Sequence, residues 1–213
     1  MTEQSANLAF EKLHPRIQKW CHRQGWASLR SIQSDSVEPV FAADRDVIIS
    51  ASTSAGKTEA AFLPACSKLL ESDLSGVGIL YISPLKALIN DQERRLLELG
   101  ESVGIDVTPW HGDVPARKKN KYKKNPDGIL LITPESLESF LLNHAGRTVQ
   151  SLKNVSYFVI DEFHAFVGTV RGQQLLSLMA RLEFLIERKV PRIALSATLG
   201  DMGQVEKLSL IHI

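Results

Sequence analysis

Short apolar runs that close in polar or glycine-rich turns, and then give way to helix-like segments, constrain this chain more than any other feature. The runs are Asp46 to Ala51 (DVIISA), Val77 to Ser83 (VGILYIS), Asp106 to Trp110, Gly128 to Thr133 (GILLIT), Ser156 to Asp161 (SYFVID) and Arg192 to Ser196 (RIALS). Between them, Lys57 to Leu70, Leu85 to Leu99, Glu135 to Asn143 and Gln173 to Arg188 carry apolar residues at helical spacing. Apolar runs without in–out alternation suit strands buried on both faces. Alternation of such strands with helices reads as an open, mostly parallel sheet covered on both sides. The expected fold class is α/β. Ahead of the first strand, Pro15 to Gln24 reads as a short lead-in helix capped near His14 and ended by Gly25. Its Ile17, Trp20 and Cys21 share one face, which is expected to pack on the sheet.

Composition bounds the function. A chain of 213 residues suits one large domain or two small ones. Its 25 Lys and Arg stand against 24 Asp and Glu, a net charge of +1, so any nucleic-acid binding must come from a local patch. Cys21 and Cys66 are the two cysteines and have no CxxC spacing; that excludes a metal framework or disulfide scaffold and fits a reducing compartment. No stretch approaches about eighteen apolar residues, and the N-terminus has no basic region followed by an apolar run. Neither a membrane span nor secretion is expected, and the expected location is cytoplasmic.

The strongest chemical signal is ASTSAGKT, Ala51 to Thr58, between an expected strand and an expected helix. Backbone N–H groups at a helix N-terminus point at anionic oxygens, and the helix dipole favours negative charge there. Lys57 can reach the outer phosphates of a nucleotide, and the Thr58 hydroxyl can coordinate Mg²⁺. The strict GxxxxGK[ST] pattern asks for glycine where this chain has Ala51, and a polar helix cap is the plain alternative. The second signal is Asp161-Glu162-Phe163-His164 at the end of an apolar run, where open α/β sheets place ligands. Asp161 can hold Mg²⁺, usually through water, and Glu162 is then free to orient or deprotonate an attacking water. Alone, such an acidic pair is as well read as a solvated loop.

Taken in chain order, these two motifs and four weaker ones resemble the first RecA-like domain of superfamily-two helicases of the DExH kind, over about Gln33 to Thr198. ASTSAGKT resembles the A-x-T-x-x-G-K-T loop of that family, which accepts alanine at the first position. SPLKALINDQ (Ser83 to Gln92) looks like motif Ia, TPESL (Thr133 to Leu137) like motif Ib, DEFH like motif II and SAT (Ser196 to Thr198) like motif III. LYISPLKALINDQ, WHGD (Trp110 to Asp113) and GTVRG (Gly168 to Gly172) resemble the large helicase-related, Lhr-like branch.

The resemblance implies an ATP·Mg²⁺ site with Gln33 reading adenine, Thr53, Ser54, Ala55, Gly56, Lys57 and Thr58 around the phosphates, Thr58 and Asp161 at the metal, and Lys57, Asp161 and Glu162 as the catalytic set. It implies that Pro84, Lys86, His111, Thr133, Pro134 and Glu135 line a path for a single-stranded or tailed nucleic acid, with DNA favoured over RNA, and that His164, Ser196 and Thr198 couple the two sites. His111 has no second His or Cys at ligand spacing, so no metal role is expected of it. The implied division is residues 1–32 as a lead-in, 33–200 as the ATP-binding domain and 201–213 as a tail. In this family a second RecA-like domain, in cis or in trans, supplies arginine fingers worth on the order of 10³ to 10⁵ in rate. The isolated chain is therefore expected to hydrolyse ATP poorly. Arg117 to Lys124 (RKKNKYKK) has six basic residues in eight positions. It reads either as a solvated polar helix or loop or as a phosphate-contacting edge.

Overall fold

A computed structural model describes residues 3–52, 55–72, 75–143 and 145–197. The described elements are α1 (Glu3–Glu11), α2 (Pro15–Arg23), α3 (Ser31–Ala42), β1 (Val47–Ser50), α4 (Lys57–Glu71), β2 (Val77–Ile82), α5 (Lys86–Val103) and β3 (Val107–Trp110). They continue as α6 (Ala116–Lys124), β4 (Gly128–Ile132), α7 (Pro134–Asn143), α8 (Ala145–Leu152), β5 (Tyr157–Ile160), a 3-10 turn (Phe163–Ala165), α9 (Val170–Leu185) and β6 (Arg192–Ser196). All six apolar runs are strands of one sheet, ordered β1-β6-β5-β2-β4-β3, with every neighbouring pair parallel.

The missing in–out alternation has its cause in the layering. Ile79, Tyr81, Leu131, Val159 and Leu195 enter a core shared with α2 to α5. Their neighbours Leu80, Leu130, Phe158 and Ala194 enter a second core with residues of α6 to α9. Both faces are dry, so both sets are apolar. The split also runs with chain order: the helices before β3 cover one face and those after it cover the other.

Helix α2 starts as its sequence implies. His14 Nδ1 accepts from the Arg16 N–H at 3.2 Å, Pro15 is the first helical residue, and Gly25 turns the chain at φ 72°. Ile17, Trp20 and Cys21 are buried, but their face packs chiefly on α5 and α4, because α3, α4 and α5 already cover the strands. Burial pushes the Cys21 thiol up to about 11 and that of Cys66 up to about 12, so both remain neutral core groups. Trp20 and Trp26 meet edge to face at 5.4 Å.

Helix α3 is not legible from apolar spacing, since Gln33, Ser34 and Ser36 are buried beside Val37 and Val40; Ser36 Oγ donates to the Ala60 carbonyl at 2.6 Å. Helix α9 begins at Val170, earlier than its apolar period implies, because Thr169 Oγ1 caps it by accepting the Gly172 N–H at 3.0 Å. A side chain at Gly172 would place its Cβ 2.0 Å from the Phe166 carbonyl oxygen, so only glycine lets this helix start against the 3-10 turn. Among the described residues, no helix is long and apolar enough to cross a membrane.

Candidate functional site

The carboxyl ends of β1, β6 and β5 lie side by side and carry the loop before α4, Ser196 and the Asp161–His164 turn. Gly56 caps α4 at φ 88°, a conformation glycine adopts without strain. A Cβ there would sit 2.7 Å from Gln33 Nε2, so Gln33 lies directly against the loop. Gln33 is buried and its Oε1 accepts the Arg30 N–H at 2.9 Å, capping α3. Lys57 is only 8% exposed. Its ammonium donates to the carbonyls of Ala51 at 2.6 Å and Ser52 at 3.0 Å, the two residues that come directly after β1. Ala51 is itself tied across the sheet, its N–H bonded to the Ser196 carbonyl at 3.2 Å. Ala55 is half-buried beside them, while Thr53, Ser54 and Thr198 lie outside the described residues.

Asp161 is buried and accepts the hydroxyl of Tyr81 from the adjacent β2. Burial first, and the Asp161 charge second, hold the Tyr81 phenol far above its ordinary value, so it stays a donor to that carboxylate. Glu162 sits at φ 46° and ψ 46°, a left-handed conformation that costs a non-glycine residue about 1 kcal/mol or more. The sharp turn leaves Asp161 inside while Glu162 emerges to 26% side-chain exposure. His164 Nδ1 then stands 3.4 Å from Glu162 Oε2 and 3.5 Å from Ser196 Oγ, between the motif II and motif III residues.

Thr58, in the first turn of α4, and Asp161, directly after β5, both stand at this end of the sheet. Among the described residues, no cluster of three or more His, Cys, Asp or Glu could cage a metal ion. One hydroxyl and one carboxylate fit Mg²⁺, which keeps several waters and shares its remaining positions with substrate phosphates. Gln92, part-way along motif Ia's helix α5, is buried and its Nε2 donates to Thr58 Oγ1 at 3.4 Å.

The other three strands, β2, β4 and β3, end at a cleft of about 530 Å³. Pro84, Lys86, His111, Thr133 and Glu135 all line it, which brings together five residues drawn from three separate sequence motifs. Pro134 is buried at the head of α7, beside the cleft wall. The N-termini of α5 and α7 open on this cleft, and their dipoles favour an anion there. Four of its charged groups form two pairs, Lys86 with Asp113 at 3.0 Å, and Arg171 with Glu135 through two bonds of 2.7 and 2.9 Å. Burial pushes the Glu135 carboxyl up, but the Arg171 guanidinium outweighs it and holds the group below its usual range. His111 is buried, its Nε2 3.0 Å from Asn90 Oδ1, and desolvation lowers its pKa.

Three residues of these sites, Tyr81, Gln92 and Arg171, are not singled out by the sequence. Arg171 and Gly172 lie within the GTVRG stretch, where a cation next to a glycine is the available signal. Tyr81 offers none, being the one polar tip in an apolar run.

The DEAD/DEAH box helicase family model matches residues 30–206. The chain belongs to the DEAD/DEAH box helicase family. Within it, this helicase domain is 35% identical over 198 residues to the Lhr helicase/uracil glycosylase of Escherichia coli strain K12, covering 81% of this chain and 13% of that protein. It is 32% identical over 211 residues to the ATP-dependent helicase Lhr-Core of Methanothermobacter thermautotrophicus, covering 92% of this chain and 24% of that one. Among solved structures, the Mycobacterium smegmatis helicase Lhr bound to ssDNA and AMP-PNP superposes with a TM-score of 0.80 at 31% identity, covering 92% of this chain and 26% of that one. The helicase domain is thus RecA-like and of the Lhr-like branch of superfamily two, and it spans a quarter or less of the length of the two curated relatives.

Proposed function

We propose that this domain is the ATP-binding half of a nucleic-acid helicase, in which hydrolysis drives strand translocation or unwinding once a second RecA-like domain, in cis or in trans, closes over the nucleotide. The observation that carries the reading is the division of one sheet edge: phosphate-loop, Asp-Glu-His and Ser groups end β1, β6 and β5, and an anion-favouring cleft ends β2, β4 and β3. Residues 33–200 would be the ATP-binding unit, residues 1–32 its lead-in and 201–213 a tail. Lys57 and the backbone from Thr53 through Ser54, Ala55 and Gly56 to Thr58 would cradle the phosphates, with Gln33 against the adenine. Thr58 and Asp161 would hold Mg²⁺, which when bound neutralises the charge that develops on the phosphates. Glu162 would orient the attacking water and take its proton; His164 and Ser196, with Thr198, would relay the state of that site across β6.

Pro84, Lys86, His111, Thr133, Pro134 and Glu135 would form the strand path, gripping backbone rather than bases. DNA as the favoured strand is supported by the ssDNA complex of the M. smegmatis relative. A cytoplasmic location is in keeping with two buried, unpaired cysteines.

Glu162→Gln tests the reading in a chain that also carries a second RecA-like domain. Loss of the base should slow hydrolysis by about 10² to 10⁴ and leave nucleotide affinity unchanged. Single-turnover hydrolysis at the wild-type rate would remove Glu162 from that role. Absence of hydrolysis in wild type beside intact nucleotide and strand binding would favour a non-hydrolysing binding module.

A further inference from the structure

We propose that helix α6 is a second phosphate-contacting surface, gripping the backbone of a single strand as it runs out of the cleft past Lys119. The proposal rests on the reading of that cleft as the strand path and extends it. Arg117, Lys118, Lys119, Lys121, Lys123 and Lys124 occupy a nine-residue helix that holds no acid. The other 19 Lys and Arg of the chain are outnumbered by its 24 Asp and Glu, so positive charge is concentrated in this one element. Six like charges along about 13 Å of helix repel one another. A helix whose task is solubility interleaves both signs.

The two flanks of α6 differ. The flank carrying Lys118 and Lys121 lines a groove with Glu93, Glu101 and Asp106, and Lys118 pairs with Glu93 at 2.6 Å. Counter-charge is already supplied there. On the other flank, Lys119 forms part of the cleft wall, with its Nζ 5.8 Å from the centre of the Trp110 ring. Lys123 comes four residues later, along the same side of the helix. Arg117 and Lys124 are exposed and turn outward. Among the described residues, Arg117, Lys123 and Lys124 make no ion pair. The helix hangs from the sheet by Tyr122, which is 4% exposed and packs its ring 5.3 Å from that of Trp110. That aromatic contact joins the basic helix to the cleft wall, so a strand leaving the cleft meets Lys119, then Lys123, then the outward cations. A phosphodiester chain matches this row because its charges recur at regular intervals and need no sequence.

The test uses the 213-residue chain with the triple variant R117Q/K123Q/K124Q, none of which lines the cleft. Two labelled oligodeoxythymidylates are titrated against salt, one of roughly five nucleotides and one of about twenty, beside a tailed duplex. On the long strand the variant should weaken binding about tenfold at low salt and lower the log–log salt slope by about two, since each phosphate no longer neutralised removes about 0.7 from it. Affinity for the short strand should not change, circular dichroism should report an intact fold, and the charge-keeping variant R117K/K123R/K124R should restore the long-strand affinity. An unchanged long-strand slope, or an equal loss on both lengths, overturns the proposal. A loss confined to the tailed duplex overturns it in favour of a duplex contact. Competition by polyglutamate as strong as by a strand of equal charge overturns it in favour of an acidic protein. If the wild-type chain binds neither oligonucleotide, the strand-path reading itself fails.

Discussion

At the ends of β1 and β5 two charged groups are buried and tied to neutral partners, Lys57 to two loop carbonyls and Asp161 to the Tyr81 hydroxyl, while Glu162 emerges beside His164. At the ends of β2, β4 and β3 four charged groups stand in water and are tied to each other, Lys86 to Asp113 and Arg171 to Glu135. The two arrangements differ in what it costs to disturb them. A buried ion deprived of a partner loses about 1–3 kcal/mol or more, so its position is fixed by the fold. An exposed pair is worth about 0–1 kcal/mol, so its cation exchanges a carboxylate for a phosphate at little expense. The first suits chemistry that requires groups held in place before the reactants arrive. The second suits a surface that must take hold of a backbone and release it at every step.

Substitutions that remove one partner on each side should expose that difference. Tyr81→Phe leaves a buried carboxylate short of its donor and should destabilise the chain by about 1–3 kcal/mol, measured by urea unfolding. A loss below that range would mean that Asp161 is not anchored by the phenol. Arg171→Ala removes a pair whose side chains are 33% and 55% exposed, and should cost at most about 1 kcal/mol in the same assay. Its larger effect should fall on strand affinity, because a cation leaves the cleft; equal strand affinity would place Arg171 outside the path.

The smallest effect concerns pH. His111 is held neutral by burial, so its folded pKa lies below the ordinary 6.5. The unfolded chain then takes up its proton first, and stability should be full above about 6.5 and fall as the pH drops below it. His111→Gln, which can still meet Asn90, should flatten that part of the stability profile; an unaltered slope would assign it to other groups.

The inner strands are legible in the sequence because both faces of the sheet are dry there, as in GILLIT and SYFVID. The phosphate loop and the Asp161–Glu162 pair are legible because each is written next to the end of its strand. What escapes is built from distant or small groups. Tyr81 and Asp161 are 80 residues apart, and Arg171 and Glu135 are 36 apart, so no local pattern links them. Helix α3 is hidden because Gln33, Ser34 and Ser36 share its buried positions with Val37 and Val40, so the buried face carries no clear apolar period. The left-handed turn at Glu162 is equally hidden, since a glutamate gives no sign of a conformation that favours glycine.

The separation of the two halves is tested most directly by measuring nucleotide affinity and single-strand affinity on the same 213-residue chain in Lys57→Ala and in Lys86→Ala. Lys57→Ala should weaken nucleotide binding by roughly tenfold to a hundredfold, the worth of a charge-assisted bond to phosphate, and leave strand affinity as it was. Lys86→Ala should leave nucleotide affinity unchanged and weaken strand binding, with the salt slope lowered by about 0.7. If either substitution weakens both ligands alike, or if Lys86→Ala acts on the nucleotide alone, the sheet edge is not divided as described.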